Sequence, residues 1–181
     1  MENENKKIPV TVKILNQNYD IFCQENEKNE LLKNFKDKYE KYRNNWVNSL
    51  KVKNKTKPLS VDIEIAAICD LACPHCSREF LVTPDKVINF KLYKSIIDQA
   101  VKLDVPSVKL IWRGEPLLHP KVKELIQYAK ESGIIEVIIN TNGTNLDEKK
   151  ANELIDSGLD QLIYSFDGGT KKTYEKMRPG R

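Results

Sequence analysis

The sequence predicts an α/β protein, because strand-like and helix-like segments alternate along most of the chain. From Ser60 onward, four short apolar segments are each followed by a segment whose apolar residues recur at helical spacing. This alternation is typical of a parallel sheet whose strands are joined by right-handed helical crossovers. The residues before Ser60 follow a different pattern, which predicts a β-hairpin and one long helix.

The N-terminal region is predicted to be a separate unit of residues 1–58. Residues 8–23 alternate like a hairpin, with the turn expected at residues 16–18. From residue 25 to residue 50, apolar side chains recur at helical spacing among many charges, which predicts one amphipathic helix. These apolar residues are Leu32, Phe35, Tyr39, Tyr42, Trp46 and Leu50. The basic stretch that ends at Pro58 is interpreted as a linker, so the second domain is predicted to span residues 59–181.

The second domain is predicted to contain four strands and four helices. The predicted strands are Val61–Ile68, Ser107–Trp112, Glu136–Thr141 and Gln161–Phe166. The predicted helices are Phe90–Leu103, a segment around residues 122–129 that Gly133 can end, a segment between Asp147 and Gly158, and one starting near Thr170. Because the chemistry of parallel sheets lies at the carboxyl ends of the strands, the loops after these strands form the candidate site.

Composition and charge narrow the class of protein. The chain is 40% hydrophobic and has neither an apolar run of about eighteen residues nor a signal-peptide core, which predicts a cytoplasmic protein without a membrane segment. The net charge is +4, of which residues 1–60 contribute +5, with 13 Lys/Arg against 8 Asp/Glu, and the remaining residues contribute −1. The second domain is therefore electrically balanced, which does not support a nucleic-acid substrate. A small molecule or a peptide is expected instead.

Three of the four cysteines, Cys69, Cys73 and Cys76, are clustered in a C-x3-C-x2-C pattern after the first predicted strand. Disulfide frameworks belong to small secreted chains, so clustered thiols in this chain indicate a metal. Three thiolates on one loop can ligate three irons of a [4Fe-4S] cubane and leave the fourth iron open. From the residues alone, a zinc site completed by His75 and thiols that bind nothing remain as alternatives.

Four motifs together resemble the radical S-adenosylmethionine (SAM) superfamily. The cysteine motif follows the first predicted strand, and Gly114-Glu115-Pro116 follows the second, with Arg113 where the family has another glycine. Asn140-Thr141-Asn142-Gly143 ends the third strand and Ser165-Phe166-Asp167-Gly168 ends the fourth. The motifs occur in the family order over residues 60–181. Residues 173–180 also resemble the branch that matures peptides or acts on carbohydrates.

The resemblance implies two cofactors, a [4Fe-4S] cluster held by Cys69, Cys73 and Cys76, and S-adenosyl-L-methionine bound beside it. It implies that His75 helps to hold the adenine. It also implies that the SAM amino group donates hydrogen bonds to the Glu115 carboxylate and to the surrounding backbone. The implied cofactor-binding residues are His75, Gly114, Glu115, Pro116, Asn140, Thr141, Asn142, Ser165 and Asp167.

The same residues also have structural interpretations. Glu115 and Pro116 suit the first turn of a helix. Asn140–Gly143 is equally a plain Asn-Gly turn, and Asp167 is equally the cap of a following helix.

The resemblance implies a partial (β/α) barrel with six strand-helix units, of which about four are expected in this chain. In the implied chemistry, an electron donor of the flavodoxin or ferredoxin type drives reductive cleavage of SAM. The resulting 5′-deoxyadenosyl radical takes a hydrogen atom from a small-molecule or peptide substrate. Because only four units are expected, the alternative is an incomplete core that binds the cluster or SAM without turnover.

Overall fold

The computed structural model describes residues 7–14, 17–49, 57–80 and 84–180, with side chains from residue 37 onward except that of residue 79. Contacts divide the chain into two compact units, Met1–Asn44 and Asn45–Arg181. The domain boundary expected after residue 58 stays a prediction. Within the described residues, no helix has both the length and the apolarity that crossing a membrane requires.

The first unit contains the predicted hairpin and most of the long helix. Strand β1, Lys7–Ile14, pairs antiparallel with β2, Gln17–Gln24, and α1 follows at Glu25–Asn48. The predicted turn at residues 16–18 is wrong in position, because Gln17 already pairs with Ile14 across a two-residue connection. On α1, Tyr42 is buried whereas Trp46 is half exposed. The side chains of Leu32, Phe35 and Leu50 lie outside the described residues.

The second unit is a parallel sheet with helices between its strands, as the sequence predicts. Four strands lie in the order β3-β4-β5-β6 in the described part of the chain, and each neighbouring pair is parallel. The strands are β3, Ser60–Asp62; β4, Ser107–Lys109; β5, Glu136–Thr141; and β6, Gln161–Tyr164. The helices are α2, Phe90–Lys102; α3, Val122–Glu131; α4, Glu148–Asp156; and α5, Lys171–Met177.

Three strands are shorter than the sequence predicts, because β3 ends at Asp62, β4 at Lys109 and β6 at Tyr164. The chain leaves the ladder after Asp62, with a last hydrogen bond of 2.8 Å from the Ile63 amide to the Lys109 carbonyl. It then pairs with residues 86–88, where the Ile88 amide donates to the Ile65 carbonyl at 2.9 Å. Ile63 and Ile65 are buried in the core beneath this second pairing. The apolar pattern of these residues predicted a continuing strand, but the pattern results from their burial in the core.

The core lies where the helices pack on the sheet. Alternate β5 residues Val137 and Ile139 are fully buried, as is Val108 on β4. They pack in one cluster with the apolar residues of α2, α3 and α4, which include Tyr93, Ile97, Leu125, Ile126 and Leu154. Each such side chain contributes about 1.5–3 kcal/mol when fully buried. This core holds the carboxyl ends of the strands in fixed positions.

The predicted helix ends are confirmed by their capping contacts. The Asp147 carboxylate accepts a hydrogen bond from the Lys150 amide at 2.7 Å and begins α4. After α3 and α4, Gly133 and Gly158 adopt φ angles of 104° and 81°, which glycine takes without strain. The Thr170 hydroxyl accepts from the Thr173 amide and begins α5.

Candidate cofactor site

The cysteine loop, residues 69–76, follows the first strand of the parallel sheet and carries three free thiols. Cys73 is buried, and Cys69 and Cys76 are half buried. The Cys76 amide donates to the Cys73 carbonyl at 3.0 Å, which makes a turn between these two residues. The three thiols therefore lie on one short, folded segment at the carboxyl edge of the sheet.

Burial makes two of these thiols harder to ionise in the protein without a metal. Burial raises the pKa of the Cys69 thiol, and the backbone amide of Leu71 opposes this effect. Burial also raises the pKa of Cys73, where the positive charge of Arg178 opposes it. Because metal ligands must be thiolates, a bound cation is the group that would stabilise the ionised form.

The Gly114 backbone packs directly on the start of the cysteine loop. A Cβ atom at Gly114 would lie 1.9 Å from the Ala66 carbonyl oxygen and 2.6 Å from that of Ile68. Next to it, the Glu115 amide donates to the Ile68 carbonyl at 2.7 Å. Only glycine fits this contact, so the Gly-Glu-Pro segment and the cysteine loop are joined backbone to backbone.

Arg113, which stands where the family has a glycine, has a partner of its own. Its Nε and Nη2 atoms donate to the two oxygens of the Glu64 carboxylate at 2.9 and 2.7 Å. The Arg113 amide also lies 3.2 Å from Glu64 Oε1. This bidentate pair ties the end of β4 to the segment after β3, so the substitution leaves Gly114 in its close contact.

Glu115 joins the ends of two neighbouring strands. Its side chain is 2% exposed and accepts hydrogen bonds from Thr141 Oγ1 at 2.7 Å, the Asn142 amide at 2.7 Å and the Leu117 amide at 3.0 Å. Burial raises the pKa of Glu115 above its usual range, and these three donors oppose the shift. The helix-start interpretation is confirmed, because Glu115 caps a short 3-10 helix at Pro116–Leu118. Its binding of SAM stays a prediction.

Asp70, between two of the thiols, is a contact that the sequence interpretation missed. Its carboxylate accepts hydrogen bonds from Asn142 Nδ2 at 2.8 Å, Asn145 Nδ2 at 3.0 Å and the Thr144 hydroxyl. Burial alone would raise the pKa of Asp70, but these donors outweigh it and hold the pKa below its usual value. One signal in the sequence could have predicted this contact. It is the acidic residue inside the cysteine motif, together with several amide and hydroxyl side chains after β5.

The segment that ends β5 reaches the first thiol. Asn142 Nδ2 lies 3.9 Å from Cys69 Sγ, and Asn142 Oδ1 accepts from the Thr144 amide at 2.9 Å. The turn interpretation is therefore confirmed, with Gly143 at a φ of 78° and in close contact with the Tyr164 ring. Asn140 Oδ1 is buried without a hydrogen-bond partner among the described residues. A buried amide oxygen of this kind requires a donor, which a ligand can supply.

The end of β6 contacts the cysteine loop through Asp167. Its carboxylate lies 2.6 Å from Arg178 Nη2 and 3.5 Å from His75 Nε2. The interpretation of Asp167 as a helix cap is wrong, because Thr170 caps α5. Ser165 is half buried, and its amide donates to the Thr141 carbonyl at 2.8 Å. Arg178 was also missed, and its only signal in the sequence is an Arg-Pro-Gly after a helix.

The donor set of the site consists of three free thiols and the polar side chains around them. Among the residues that the structure describes, no three His, Cys, Asp or Glu side chains converge as ligands of one ion. The exposed His75 ring, the fourth ligand in the zinc alternative, lies with its Nε2 atom 3.5 Å from Asp167 Oδ2. The three free thiols and the unpaired Asn140 oxygen fit a cluster with a second, polar ligand beside it.

Comparisons with known proteins match the part of the chain that carries this site. Residues 63–181 match the Radical SAM superfamily. GTP 3′,8-cyclase of Parasynechococcus marenigrum is 32% identical over 127 residues, which cover 65% of this chain and 36% of that protein. PqqA peptide cyclase of Gluconobacter oxydans is 31% identical over 121 residues, which cover 66% of this chain and 33% of that protein. The matched region thus spans about a third of the length of these curated relatives.

A solved structure shares the fold. The crystal structure of Streptococcus suis SuiB bound to the precursor peptide SuiA aligns with a TM-score of 0.60 and 26% sequence identity. The alignment covers 79% of this chain and 33% of SuiB. The four-stranded parallel sheet with its helices is therefore similar to the partial barrels of this superfamily.

Proposed function

The chain belongs to the radical SAM superfamily, and from this premise we propose that it binds a [4Fe-4S] cluster through Cys69, Cys73 and Cys76 and cleaves SAM reductively. The observation that carries the proposal is the position of three free thiols on one loop, in contact with the ends of β4, β5 and β6. Three thiolates leave one iron of a cubane without a protein ligand. Cys69, Cys73 and Cys76 would hold the cluster, and its open iron would bind the amino and carboxylate groups of SAM.

Residues of this chain hold and orient both ligands in the proposal. Asn142 donates toward Cys69 Sγ, and hydrogen bonds to a cluster sulfur adjust its reduction potential. Asn140 offers its buried, unpaired Oδ1 to a donor on SAM. The Glu115 carboxylate and the backbone oxygens of Gly114–Pro116 accept hydrogen bonds from the SAM amino group, while Ser165 and His75 approach the ribose and the adenine.

When bound, the cluster supplies one electron to SAM, whose C5′–S bond breaks to give methionine and a 5′-deoxyadenosyl radical. The chemistry so supplied would be abstraction of a hydrogen atom from a small-molecule or peptide substrate. A peptide is supported by two relatives, since one is named a peptide cyclase and the other was crystallised with a precursor peptide. We further propose a cytoplasmic protein that receives its electron from a flavodoxin or ferredoxin.

A second candidate function is binding of the cluster and SAM without turnover. It is favoured by the four strands of the described sheet, in which β6 lies at an edge. The family resemblance implies that a fifth and a sixth strand supply the remaining adenine and ribose contacts. The two candidates share the same cofactor site and differ only in the yield of cleaved SAM.

The cluster is tested by anaerobic reconstitution and chemical analysis. We expect about four irons and four sulfides per chain, and we expect Cys69→Ala, Cys73→Ala and Cys76→Ala each to lose the visible absorbance of the cluster. Cys23→Ala is the matched control, because Cys23 lies on β2 and outside the motif. Loss of the absorbance in Cys23→Ala, with retention in the three motif variants, would contradict the ligand assignment.

Turnover is tested by incubating the reconstituted, dithionite-reduced protein with SAM and measuring 5′-deoxyadenosine. Formation of the nucleoside at many equivalents per chain supports the enzyme proposal. A loaded cluster that yields no nucleoside supports binding without turnover. The Cys73→Ala protein serves as the background, because it keeps the fold's other contacts and lacks one ligand.

A further inference from the structure

The segment after α5 pairs with the cysteine loop. The Ala72 amide donates to the Pro179 carbonyl at 2.8 Å, and Leu71 forms an isolated antiparallel bridge with Gly180. Both partners on the loop lie between Cys69 and Cys73. We call residues 178–180 the clamp segment. Its backbone is thus paired with the part of the cysteine loop that separates these two thiols.

Arg178 begins the clamp segment and is placed by two contacts. Its Nη2 atom lies 2.6 Å from Asp167 Oδ2, and its amide donates to the Tyr174 carbonyl at 2.8 Å. The side chain is 13% exposed, and its Nε atom is buried without a hydrogen-bond partner among the described residues. The guanidinium charge is therefore poorly screened by solvent.

This charge lies beside the cysteine loop. Arg178 precedes Pro179, whose carbonyl accepts a hydrogen bond from the Ala72 amide, and Ala72 is the residue before Cys73. Asp167, which faces Arg178, also faces His75 on the loop at 3.5 Å. The cysteine loop is thus hydrogen-bonded to the backbone of the clamp segment. It also lies close to the positive charge of Arg178, at the start of the clamp segment.

We propose that Arg178 is a positioning residue of the candidate cluster site, which fixes the cysteine loop through the clamp segment and raises the reduction potential of the bound cluster. This inference rests on the cluster proposed above. Sequence interpretation assigned no role to Arg178, and neither the cysteine motif nor the Gly-Glu-Pro motif contains it.

The expected effect on the potential follows from the charge balance of the reduction. A one-electron donor such as dithionite gives one electron to the cluster, which passes from the 2+ to the 1+ state with no bond made or broken. The cluster with its three thiolates gains one negative charge in this step. Arg178 is paired with Asp167, so a neutral residue at position 178 leaves the Asp167 carboxylate uncompensated beside the loop. The more negative state of the cluster is then less stable, and the potential falls.

The potential is measured by a titration of the reconstituted protein, followed by the electron paramagnetic resonance signal of the reduced cluster. We expect Arg178→Gln to shift the midpoint to a more negative value and Arg178→Lys, which keeps the charge, to stay near the wild type. Lys172→Gln is the control, because it removes the same charge from an exposed position on α5. A fully loaded Arg178→Gln protein with the wild-type midpoint overturns the electrostatic part of the proposal.

The positioning role is measured without any cluster, by amide hydrogen exchange in the apoprotein of this 181-residue chain. We expect the Ala72 amide to exchange slowly in the wild type and severalfold faster in Arg178→Gln and Asp167→Asn. The Leu110 amide, which donates to the Ile138 carbonyl within the sheet, is the internal reference and should not change. An unprotected Ala72 amide in the wild type overturns the clamp, whatever the variants do.

The two measurements separate this proposal from the function on which it rests. If the wild type binds no iron but its Ala72 amide is protected and released by Asp167→Asn, the cluster proposal fails and the clamp stands. If the wild type binds four irons and neither variant changes the potential or the exchange, the function stands and the role of Arg178 fails.

Discussion

At the scale of single residues, Glu115 has a structural role in addition to its proposed role in binding SAM. Its buried carboxylate accepts hydrogen bonds from Leu117, Thr141 and Asn142, so the ends of β4 and β5 depend on it even before any ligand binds. A loss of SAM binding after mutation of Glu115 therefore has two sources. Stability of the apoprotein must be measured beside affinity to separate them.

We predict that Glu115→Ala lowers the free energy of unfolding of the apoprotein by about 3 kcal/mol. The physical reason is that three buried donors lose their acceptor, and each unsatisfied buried group costs about 1–3 kcal/mol. Urea denaturation followed by circular dichroism measures the change.

The control for this prediction is Glu153→Ala on α4. Glu153 is a less buried carboxylate paired with Lys150 at 2.7 Å, and such pairs contribute about 0–1 kcal/mol. Equal effects of the two substitutions would mean that the Glu115 hydrogen bonds contribute little to stability.

At the scale of elements, the contact between the end of β4 and the cysteine loop is set by backbone geometry. We predict that Gly114→Ala lowers the unfolding free energy by at least about 2 kcal/mol and prevents cluster loading, because its Cβ would overlap the Ala66 and Ile68 carbonyls. Iron content after reconstitution and a urea titration together measure this outcome.

Gly169→Ala is the matched control for this substitution. Apart from its two chain neighbours, no described residue has an atom within 4 Å of a Cβ built at Gly169, so the added methyl group meets open space. We expect it to change stability by less than about 0.5 kcal/mol. Normal iron loading in Gly114→Ala would show that the loop and the Gly-Glu-Pro segment move apart at little cost.

The elements also show what the sequence could predict. Helix ends were predicted well, because Asp147, Gly133 and Gly158 act through contacts within a few residues. The first strand was predicted too long, since Ile63 and Ile65 are buried by the core and not by a ladder. Apolar alternation reports burial, and burial has more than one structural cause.

The residues of the candidate site show the same difference between local patterns and long-range contacts. The three cysteines and the Gly-Glu-Pro motif were found because they form short patterns within one loop each. Asp70 and Arg178 were missed because their partners, Asn142 and Asp167, lie on other loops. Contacts between loops appear only when the sheet has placed the strand ends side by side.

At the scale of the whole molecule, β6 forms one edge of the described parallel sheet, and large aromatic side chains are exposed at this edge. Tyr164 is 49% exposed and Phe166 is 58% exposed, with their rings stacked 5.8 Å apart. An exposed strand edge with apolar side chains favours pairing with another chain. We therefore predict concentration-dependent self-association of the purified protein, and we expect Phe166→Lys to reduce it.

Light scattering coupled to gel filtration over a range of concentrations measures this prediction. Leu103→Lys is the control, because Leu103 is 52% exposed just after α2 and lies away from the β6 edge. The edge has no role in association if Phe166→Lys and Leu103→Lys associate to the same extent, or if the wild type stays monomeric throughout.

The pairing of Ala72 with Pro179 has a consequence for biosynthesis. The three cysteines leave the ribosome long before residue 179 does, so the loop cannot adopt its final conformation while the helices between are being made. Closing so long a loop is slow in comparison with the formation of local contacts. The thiols are thus exposed to oxidants during this interval, and we expect iron to be inserted after translation, once the distant segment has reached the loop.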